Sequence, residues 1–306
     1  MSRLVALTGA SGFIGSALLR ALSEDGWRVR ALSRRPRKNS AAVEWLCGDL
    51  DDKDALAQLV KGVFAVIHCA GAVRGKSAAF FNHTNAEGTA RLVEASVQQS
   101  PQPRLLLISS LAARAPQLSW YAASKRMAEQ TVIERANAMP WTVFRPTAVY
   151  GPGDKELRPL LNAMRLGLLP AVGGSGIRFS LLHIKDLVAA IMCWISTTVP
   201  VRGVFELDDG TAGGYDWCSL GRIAEQVWQR PVRTISIPRF VLSIFANMNL
   251  YLSRLCRYEP MLTPGKVREL THPDWICDNT PLLQALAWQP RVKLRDALQD
   301  TALLHA

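Results

Sequence analysis

Apolar and polar positions follow two different periods along the first half of the chain. Near-continuous apolar runs, such as 4–7 and 63–68, are typical of strands that are buried on both faces of a parallel sheet, and the segments between such runs show helical spacing. The order of strand and helix repeats as far as residue 150. This pattern predicts an α/β fold built on a Rossmann-type, doubly wound parallel sheet.

The pattern loosens after Gly151, where proline and glycine become frequent. We therefore predict a dinucleotide-binding domain over 1–150, with a later segment of about 179–200 returning to it. The remainder of 151–306 is predicted to be mainly a smaller substrate-binding region over the carboxyl edge of the sheet, where ligands bind in such folds.

Three helical stretches recur in this second half, at 186–196, 218–229 and 239–256. Asp186 precedes the apolar positions of the first stretch and is interpreted as its N-cap. The segment 237–254 is apolar, amphipathic and basic. Its simplest interpretation is a core helix of the second region, and the alternatives are a membrane-surface contact or the wall of a lipophilic pocket.

A glycine-rich turn joins the first strand to the first helix. Gly9 permits the tight turn, Gly12 allows a pyrophosphate close to the backbone, and Gly15 lets the helix pack against the strand. The N-terminus of the helix then offers free N–H groups to phosphate. We predict dinucleotide binding here, with further contacts from Ser11, Phe13 and Ile14.

The formal charge of +11 has one local cause in six basic residues between positions 28 and 38. A solvated face or a nucleic acid are alternative explanations. The run ends the second predicted strand, where an NAD site carries an acidic residue for the ribose and an NADP site carries arginine. Here Ser33 and Arg34 replace the acid, and Arg35 is placed to assist. We predict NADP in preference to NAD, and no nucleic-acid partner.

Tyr121 and Lys125 stand four residues apart in a predicted helix and so lie on one face of it. A nearby ammonium and an oxidised nicotinamide both favour the phenolate of a tyrosine. Such a tyrosine exchanges a proton with an alcohol or a ketone while hydride moves to or from the cofactor. Ser110 closes the preceding strand, and its hydroxyl is placed beside the same substrate oxygen.

These motifs and their order resemble the short-chain dehydrogenase/reductase superfamily, in its extended branch of nucleotide-sugar epimerases, dehydratases and 3β-hydroxysteroid-type dehydrogenases. The resemblance covers nearly the whole chain. The matching positions are the turn at 8–15, Gly48 to Leu50, His68 to Gly71, Asn85 with Gly88 and Thr89, Ser109 and Ser110, Tyr121 with Lys125, Arg145 to Gly153, and Leu182 to Asp186.

The resemblance implies roles for these positions. Tyr121 is then the acid/base, Lys125 lowers its pKa and holds the nicotinamide ribose, and Ser110 orients the substrate. The family also pairs helices such as 85–98 and 120–137 between subunits, so a homodimer is expected. The further cofactor contacts that it implies are Asp49, Leu50, Ala70, Gly71, Ala72, Asn85, Ser109, Pro146, Thr147, Ala148 and Val149.

We predict an NADP-dependent oxidoreductase that interconverts a secondary alcohol and a ketone. Only ten residues separate Ser110 from Tyr121, whereas the sugar-modifying members carry a longer loop, and no further proton-transfer group stands near Tyr121. A nucleotide-sugar 4-epimerase with tightly bound NAD is the alternative, with Arg178 as its phosphate ligand. A non-catalytic cofactor-binding subunit or sensor is the third interpretation.

Composition adds few constraints. The six cysteines are scattered without CxxC spacing, and the histidines do not cluster, so we expect reduced thiols and no metal site. The first strand begins too early for a signal peptide, and no apolar run is long enough to span a bilayer. We therefore expect a cytoplasmic protein that acts on a small molecule.

Overall fold

The fold is seen in a computed structural model that describes residues 3–174, 176–256 and 258–300. Its centre is a seven-stranded parallel sheet with the strand order β11-β6-β5-β4-β1-β2-β3. The strands of this sheet are β1 (Leu4–Thr8), β2 (Arg28–Ser33), β3 (Val43–Cys47), β4 (Ala65–His68), β5 (Arg104–Ile108), β6 (Trp141–Pro146) and β11 (Gly203–Leu207). The sheet confirms the predicted Rossmann-type α/β fold.

Six short strands form three separate pairs outside this sheet. All three pairs are parallel and lie in or beside the second half of the chain. They are β7 (Ala148–Tyr150) with β10 (Leu181–His183), β8 (Leu168–Val172) with β12 (Arg233–Ile237), and β9 (Arg178–Phe179) with β13 (Asp274–Trp275).

Helices cover both faces of the sheet and build the second region. In chain order they are α1 (Phe13–Glu24), α2 (Lys53–Val60), α3 (Ala78–Phe81), α4 (Gly88–Val97), α5 (Trp120–Arg135), α6 (Arg158–Arg165), α7 (Ile184–Ser196), α8 (Trp217–Trp228), α9 (Arg239–Cys256), α10 (Pro264–Leu270), α11 (Thr280–Leu286) and α12 (Leu294–Ala297). A π-helical segment, Asn82–Glu87, leads directly into α4. The helix predicted at 85–98 therefore starts three residues earlier, in a wider turn.

Two apolar clusters fill the space between the sheet and its helices. On one face, α1 and α7 pack together over β1 and β2, and Leu282 and Trp288 from the end of the chain join them. On the other face, α2, α4 and α5 cover β1, β4 and β5. A third cluster, around Tyr150, Met164 and Leu220, forms the core of the second region.

The part of the chain that returns to the central sheet extends beyond the predicted 179–200. Strand β11 pairs with β6, from Gly203 opposite Thr142 to Leu207 opposite Pro146. The sequence pattern gave no strand here, because 203–207 is short and follows a loop that is rich in proline and valine.

The prediction that Asp186 caps α7 is wrong. His183 caps α7, and the Asp186 carboxylate instead accepts a hydrogen bond from the Val292 backbone N–H at 2.9 Å.

The interpretation of 237–254 as a core helix is wrong as well. Helix α9 forms over the expected residues, but only Ala246 and Ser253 in it are buried. Most of its large apolar side chains are exposed to solvent. Within the described ranges, no helix has both the length and the hydropathy that are needed to cross a bilayer.

The packing of α7 on α1 predicts a large cost for truncating Leu187. This side chain is fully buried in the first apolar cluster, so Leu187→Ala is expected to lower the free energy of unfolding by about 2–5 kcal/mol. Leu166→Ala is the matched control, since Leu166 is 70% exposed and its loss should change stability by less than about 0.5 kcal/mol. Urea unfolding followed by circular dichroism measures both, and equal effects would contradict this packing.

Candidate active site

The glycine turn after β1 holds two backbones closer together than side chains would allow. Gly9 has φ +68°, and a Cβ at this residue would lie 2.6 Å from the backbone nitrogen of Ala70. A Cβ on Gly15 would overlap the Gly9 carbonyl. The Gly12 N–H donates to the Gly9 carbonyl oxygen at 2.9 Å, which closes the turn. Glycine is thus required where the turn passes the end of β4.

Helix α1 begins immediately after this turn with its first N–H groups available. Gly12 is the N-cap residue, and in the described part of the chain no side chain caps the helix. Ser11 and Gly12 are exposed, and Phe13 and Ile14 are half-buried. An uncapped N-terminus beside a bare glycine backbone fits the pyrophosphate of a dinucleotide, both sterically and electrostatically.

The end of β2 carries the residues expected to select the cofactor. The Ser33 hydroxyl donates to the Arg35 carbonyl oxygen at 2.8 Å, and this bond fixes the backbone after the strand. Arg34 and Arg35 are exposed. Within the described residues, the Arg34 guanidinium makes no ion pair or hydrogen bond, so it is free to meet an anion. The Arg37 guanidinium lies over the Trp45 ring, with its central carbon 4.9 Å from the ring centroid.

Asn85 connects the end of β4 to α5. Its side-chain oxygen accepts from the Ala72 N–H at 2.7 Å, and its amide nitrogen donates to the Ala72 carbonyl at 3.1 Å and to the Ser124 hydroxyl at 2.9 Å. A Cβ on Gly71 would lie 3.1 Å from the Asn85 oxygen and 3.2 Å from Lys125 Nζ. Asn85 thus braces the segment 70–72 against the helix that carries Tyr121.

A buried histidine lies beneath this brace. His68 Nδ1 lies 2.6 Å from the Thr8 hydroxyl, and Nε2 lies 3.0 Å from the Thr89 hydroxyl. The Thr89 hydroxyl in turn donates to the Asn85 carbonyl. Burial, with the nearby Lys125 charge, lowers the pKa of His68 to about 3, so the imidazole is neutral. This network ties β1 to the start of α4.

The structure brings Ser110, Tyr121 and Lys125 together at the carboxyl edge of the sheet. Ser119 caps α5, and its hydroxyl accepts from the Ala122 N–H at 2.9 Å, which fixes the first turn that carries Tyr121. The Tyr121 ring packs edge-on against Phe81, with 6.1 Å between the ring centroids. Lys125 Nζ donates to the Ile108 carbonyl oxygen at 2.9 Å.

Burial decides the protonation of these groups. It raises the pKa of Tyr121, although a hydrogen bond from Ser110 acts in the opposite direction by favouring the phenolate. Burial also lowers the pKa of Lys125 to about 8. The tyrosine is therefore a protonated phenol near neutral pH, which suits a proton donor. The lowering of its pKa by Lys125, which the resemblance implied, stays a prediction.

The Ser109 side chain is held by a buried ion pair. Its hydroxyl donates to Glu129 Oε1 at 2.6 Å, and Arg145 binds both carboxylate oxygens of Glu129, at 2.8 Å and 2.6 Å. Glu129 is fully buried, so the Glu129–Arg145 ion pair and the Ser109 hydrogen bond join β5, β6 and α5 inside the protein. The Ser109 hydroxyl is thus bound within the protein, and the cofactor contact by Ser109 stays a prediction.

The remaining cofactor candidates line the same edge of the sheet. Pro146 ends β6, Ala148 and Val149 begin β7, and Asp49 and Leu50 follow β3. Thr147 lies between β6 and β7. It is buried, and its hydroxyl has no hydrogen-bond partner among the described residues. An unpartnered buried hydroxyl beside the expected nicotinamide position is a second feature that fits a bound dinucleotide.

A cavity of about 300 Å³ opens beside Tyr121. Part of its wall comes from near the motifs, and the rest comes from α9, α10 and the loop between them. The residues that line it are Val73, Gly75, Phe81, Ser119, Trp120, Tyr121, Leu250, Arg254, Pro260, Met261, Thr263, Pro264, Gly265, Lys266, Arg268 and Glu269. Sequence reasoning missed those from 260 to 269, which carry no recognisable motif.

A partly buried ion pair lies in this wall. Lys266 Nζ is 3.0 Å from Glu269 Oε2, and the other Glu269 oxygen accepts a hydrogen bond from Ser119. Glu269 is buried, and its charge is one of the causes that raise the pKa of Tyr121. The pair thus places one cation and one anion within the cavity that Tyr121 faces. The expectation that no further proton-transfer group stands near Tyr121 is therefore wrong, because Glu269 comes from a segment distant in sequence.

Arg178 does not line this cavity. It is 51% exposed on β9, donates to the Gly213 carbonyl oxygen at 3.2 Å, and lies 3.9 Å from Asp216. Ser175, in the glycine-rich stretch before it, is outside the described residues. The predicted substrate ligand is therefore not among the residues that line the cavity beside Tyr121.

This fold and this edge of the sheet define a nicotinamide-dependent enzyme of the extended short-chain dehydrogenase/reductase type. The model of the NAD dependent epimerase/dehydratase family matches residues 5–206. The chain belongs to that family, which confirms the resemblance seen in the sequence motifs.

Named relatives include both reductases and epimerases. The chain is 38% identical to the ceramide reductase of Caulobacter vibrioides over 289 residues, which are 92% of this chain and 89% of that protein. It is 27% identical to the 2-alkyl-3-oxoalkanoate reductase of Stenotrophomonas maltophilia, over 96% and 97% of the two chains. The solved structure of MoeE5 in complex with UDP-glucuronic acid and NAD is 23% identical, with a TM-score of 0.76 over 99% and 98%, and supports the fold.

The His68 network predicts a loss of stability in acid. The native pKa of about 3 lies below the value of about 6.5 in the unfolded chain, so the stabilisation is complete above pH 6.5 and declines as the pH falls. Between pH 7 and pH 5 this one group should remove about 2 kcal/mol from the free energy of unfolding. His68→Gln should reduce the loss, as measured by urea unfolding at each pH. His83→Gln is the surface comparison: hydrogen bonds to Asp51 and Glu87 raise the pKa of His83, so its removal should steepen the loss in acid and not reduce it. An unchanged loss in His68→Gln would exclude this role.

Proposed function

We propose that this protein is an NADP-dependent reductase of a ketone on a long-chain lipid, and that it also runs the reverse oxidation of the alcohol. The observation that carries the proposal is the position of Tyr121, next to Ser110, in the wall of a cavity with both apolar and charged sides. Such a cavity suits an amphipathic ketone better than a fully polar sugar.

The chain's own groups would supply the proton and the positioning. A bound nicotinamide supplies the hydride that forms the new C–H bond. The Tyr121 phenol donates its proton to the carbonyl oxygen, which forms the O–H bond of the product, and the Ser110 hydroxyl donates a hydrogen bond to the same oxygen. In the oxidation, Tyr121 accepts the proton. Lys125, held by the Ile108 carbonyl and by its place in α5, would bind a ribose hydroxyl of the cofactor.

The cavity offers separate surfaces to the two parts of a lipid. Leu250 and Met261 supply apolar walls, and the Lys266–Glu269 pair supplies a donor and an acceptor for polar groups beside the ketone. The names of two relatives, the ceramide reductase and the 2-alkyl-3-oxoalkanoate reductase, refer to molecules that carry alkyl chains. Both features support a lipid as the substrate class.

The nucleotide-sugar alternative has less support from the geometry. It requires a phosphate ligand near the cavity, and its candidate, Arg178, donates to the Gly213 carbonyl, lies 3.9 Å from Asp216 and is not among the lining residues. The solved structures with UDP-sugars are below 25% identical and support only the fold. We therefore favour net reduction over internal epimerisation.

The preference for NADP rests on the end of β2. The Ser33 bond to the Arg35 backbone holds the turn, and the free guanidinium of Arg34 is available to a 2′-phosphate. In addition, we propose a homodimer through α4 and α5, which pack against each other and leave Met127 and Ile133 exposed.

Replacement of the acid/base tests the reaction. Tyr121→Phe removes the transferable proton but keeps the ring that packs on Phe81, so kcat should fall about 10²–10⁴-fold. The assay follows NADPH oxidation with the 3-oxo analogue of a ceramide in mixed micelles. The thermal midpoint and the dissociation constant of NADPH should stay unchanged, which separates a catalytic loss from a folding loss. Turnover at the normal rate would refute the proposed role of Tyr121.

Replacement of Arg34 tests the choice of cofactor. Loss of a charge-assisted contact to the 2′-phosphate should raise the KM for NADPH about 10–100-fold and leave the KM for NADH unchanged. Arg20→Ala is the matched control, because Arg20 is an exposed arginine of α1 that is not among the predicted cofactor contacts. A parallel rise in both KM values, or a native preference for NADH, would argue for NAD instead.

A further inference from the structure

Helix α9 presents an apolar stripe to solvent. Its members are spaced by four, four, three and four residues, so they share one side of the helix. Each is between 50% and 67% exposed. The stripe consists of Phe240, Ile244, Met248, Tyr251 and Leu255, and Phe245 and Leu252 are exposed beside it.

The opposite side of α9 is fixed to the protein by small and polar residues. Ala246 and Ser253 are the buried positions, and the helix packs against α10. The Asn249 side chain donates to the Leu262 carbonyl oxygen at 2.9 Å and accepts from the Tyr258 hydroxyl. The apolar moment of this helix therefore points outward, which is the reverse of an ordinary surface helix.

The surrounding sequence is basic. Between Glu225 and Glu259 the chain has five arginines and no acidic residue. Two of them, Arg239 and Arg254, are exposed at the two ends of the helix. An apolar stripe with flanking arginines matches the chemistry of an anionic bilayer surface, where lipid phosphates meet the cations and acyl chains meet the stripe.

The same helix forms part of the active-site cavity. Leu250 and Arg254 line the cavity that Tyr121 faces, and Leu250 is adjacent in sequence to Tyr251 of the stripe. The cavity of about 300 Å³ is at the lower end of the range for drug-sized ligands. For the lipid ketone proposed above, this volume accommodates the ketone and its polar neighbours but not the long alkyl chains, which would extend past α9.

From these observations we propose that α9 docks on an anionic lipid bilayer, with its apolar stripe in the interface and its axis along the membrane surface. The substrate chains would then stay in the bilayer while the ketone reaches Tyr121. The docking stands on the surface of α9 alone, whereas the delivery of substrate rests on the proposed function.

Vesicle flotation tests the docking without any assay of activity. The full chain should float with vesicles of phosphatidylcholine and phosphatidylglycerol in a 7:3 ratio, and much less with phosphatidylcholine alone. The double variant Ile244→Gln and Met248→Gln should lower the partition coefficient at least about tenfold, because it removes two apolar side chains from the interface. Leu166→Gln with Val199→Gln is the matched control, since both are exposed apolar residues outside α9, and it should float like the wild type.

Three results would overturn the docking. One is a wild-type chain that stays unbound with anionic vesicles, and another is a control pair that loses binding as much as the α9 pair does. The third is light scattering that shows the α9 pair converting a dimer to a monomer, which would make the stripe a contact between copies of this chain.

Kinetics separate this proposal from the proposed function. With the ketone lipid in anionic vesicles, the α9 pair should lose at least tenfold in kcat/KM, whereas with a short-chain soluble ketone it should equal the wild type. Binding to vesicles with no turnover of either ketone would contradict the proposed function and leave the docking supported. Equal activity of both proteins on vesicles would contradict the delivery of substrate through α9.

Discussion

The close approach of two backbone turns at the carboxyl edge of the sheet is the constraint on which the site depends. Gly9 passes so near to Ala70 that a Cβ is excluded, and this contact is held by buried hydrogen bonds that run from Thr8 through His68 to Thr89. Asn85 continues the network to Ser124, whose hydroxyl donates to the Tyr121 carbonyl oxygen at 2.8 Å. The turn that fits a pyrophosphate and the helix that carries the acid/base are thereby parts of one rigid network.

Much of the first half of the molecule could be predicted because its signals are local. Apolar runs gave the buried strands, and the glycine turn and the spacing of Tyr121 and Lys125 gave the edge at which chemistry is proposed. Other features depend on contacts between distant segments. Glu129 binds Arg145 and takes the Ser109 hydroxyl, and nothing near Ser109 in the sequence indicates which way its side chain points. Strand β11 likewise exists because β6 offers it a free edge.

The substrate side of the site follows a different principle. The cofactor side is built by backbone geometry, which leaves a glycine pattern in the sequence. The cavity wall from 260 to 269 is built mostly by side chains on α10 and its preceding loop, and this segment carries no motif that marks it in the sequence. Lys266 and Glu269 are one turn apart and pair with each other, so in the sequence they are indistinguishable from an ordinary surface pair. Their position in the cavity wall beside Tyr121, with Glu269 buried, distinguishes them from a surface pair, and only the fold shows that position.

Helix α9 shows the same limit from another direction. Periodicity reports that a helix has an apolar side, but it does not report whether protein or lipid covers that side. A core helix and an interfacial helix therefore share one hydropathy pattern, and the pattern alone favours the core because most apolar stripes are packed inside. What separates the two cases is the residue set on the opposite side. In α9 that side carries Ala246 and Ser253, which are small enough to allow close packing on α10. The large apolar residues face outward, where the lipid of a bilayer would cover them. The absence of acidic residues between Glu225 and Glu259 also favours a bilayer with anionic lipids, because its surface would repel carboxylates.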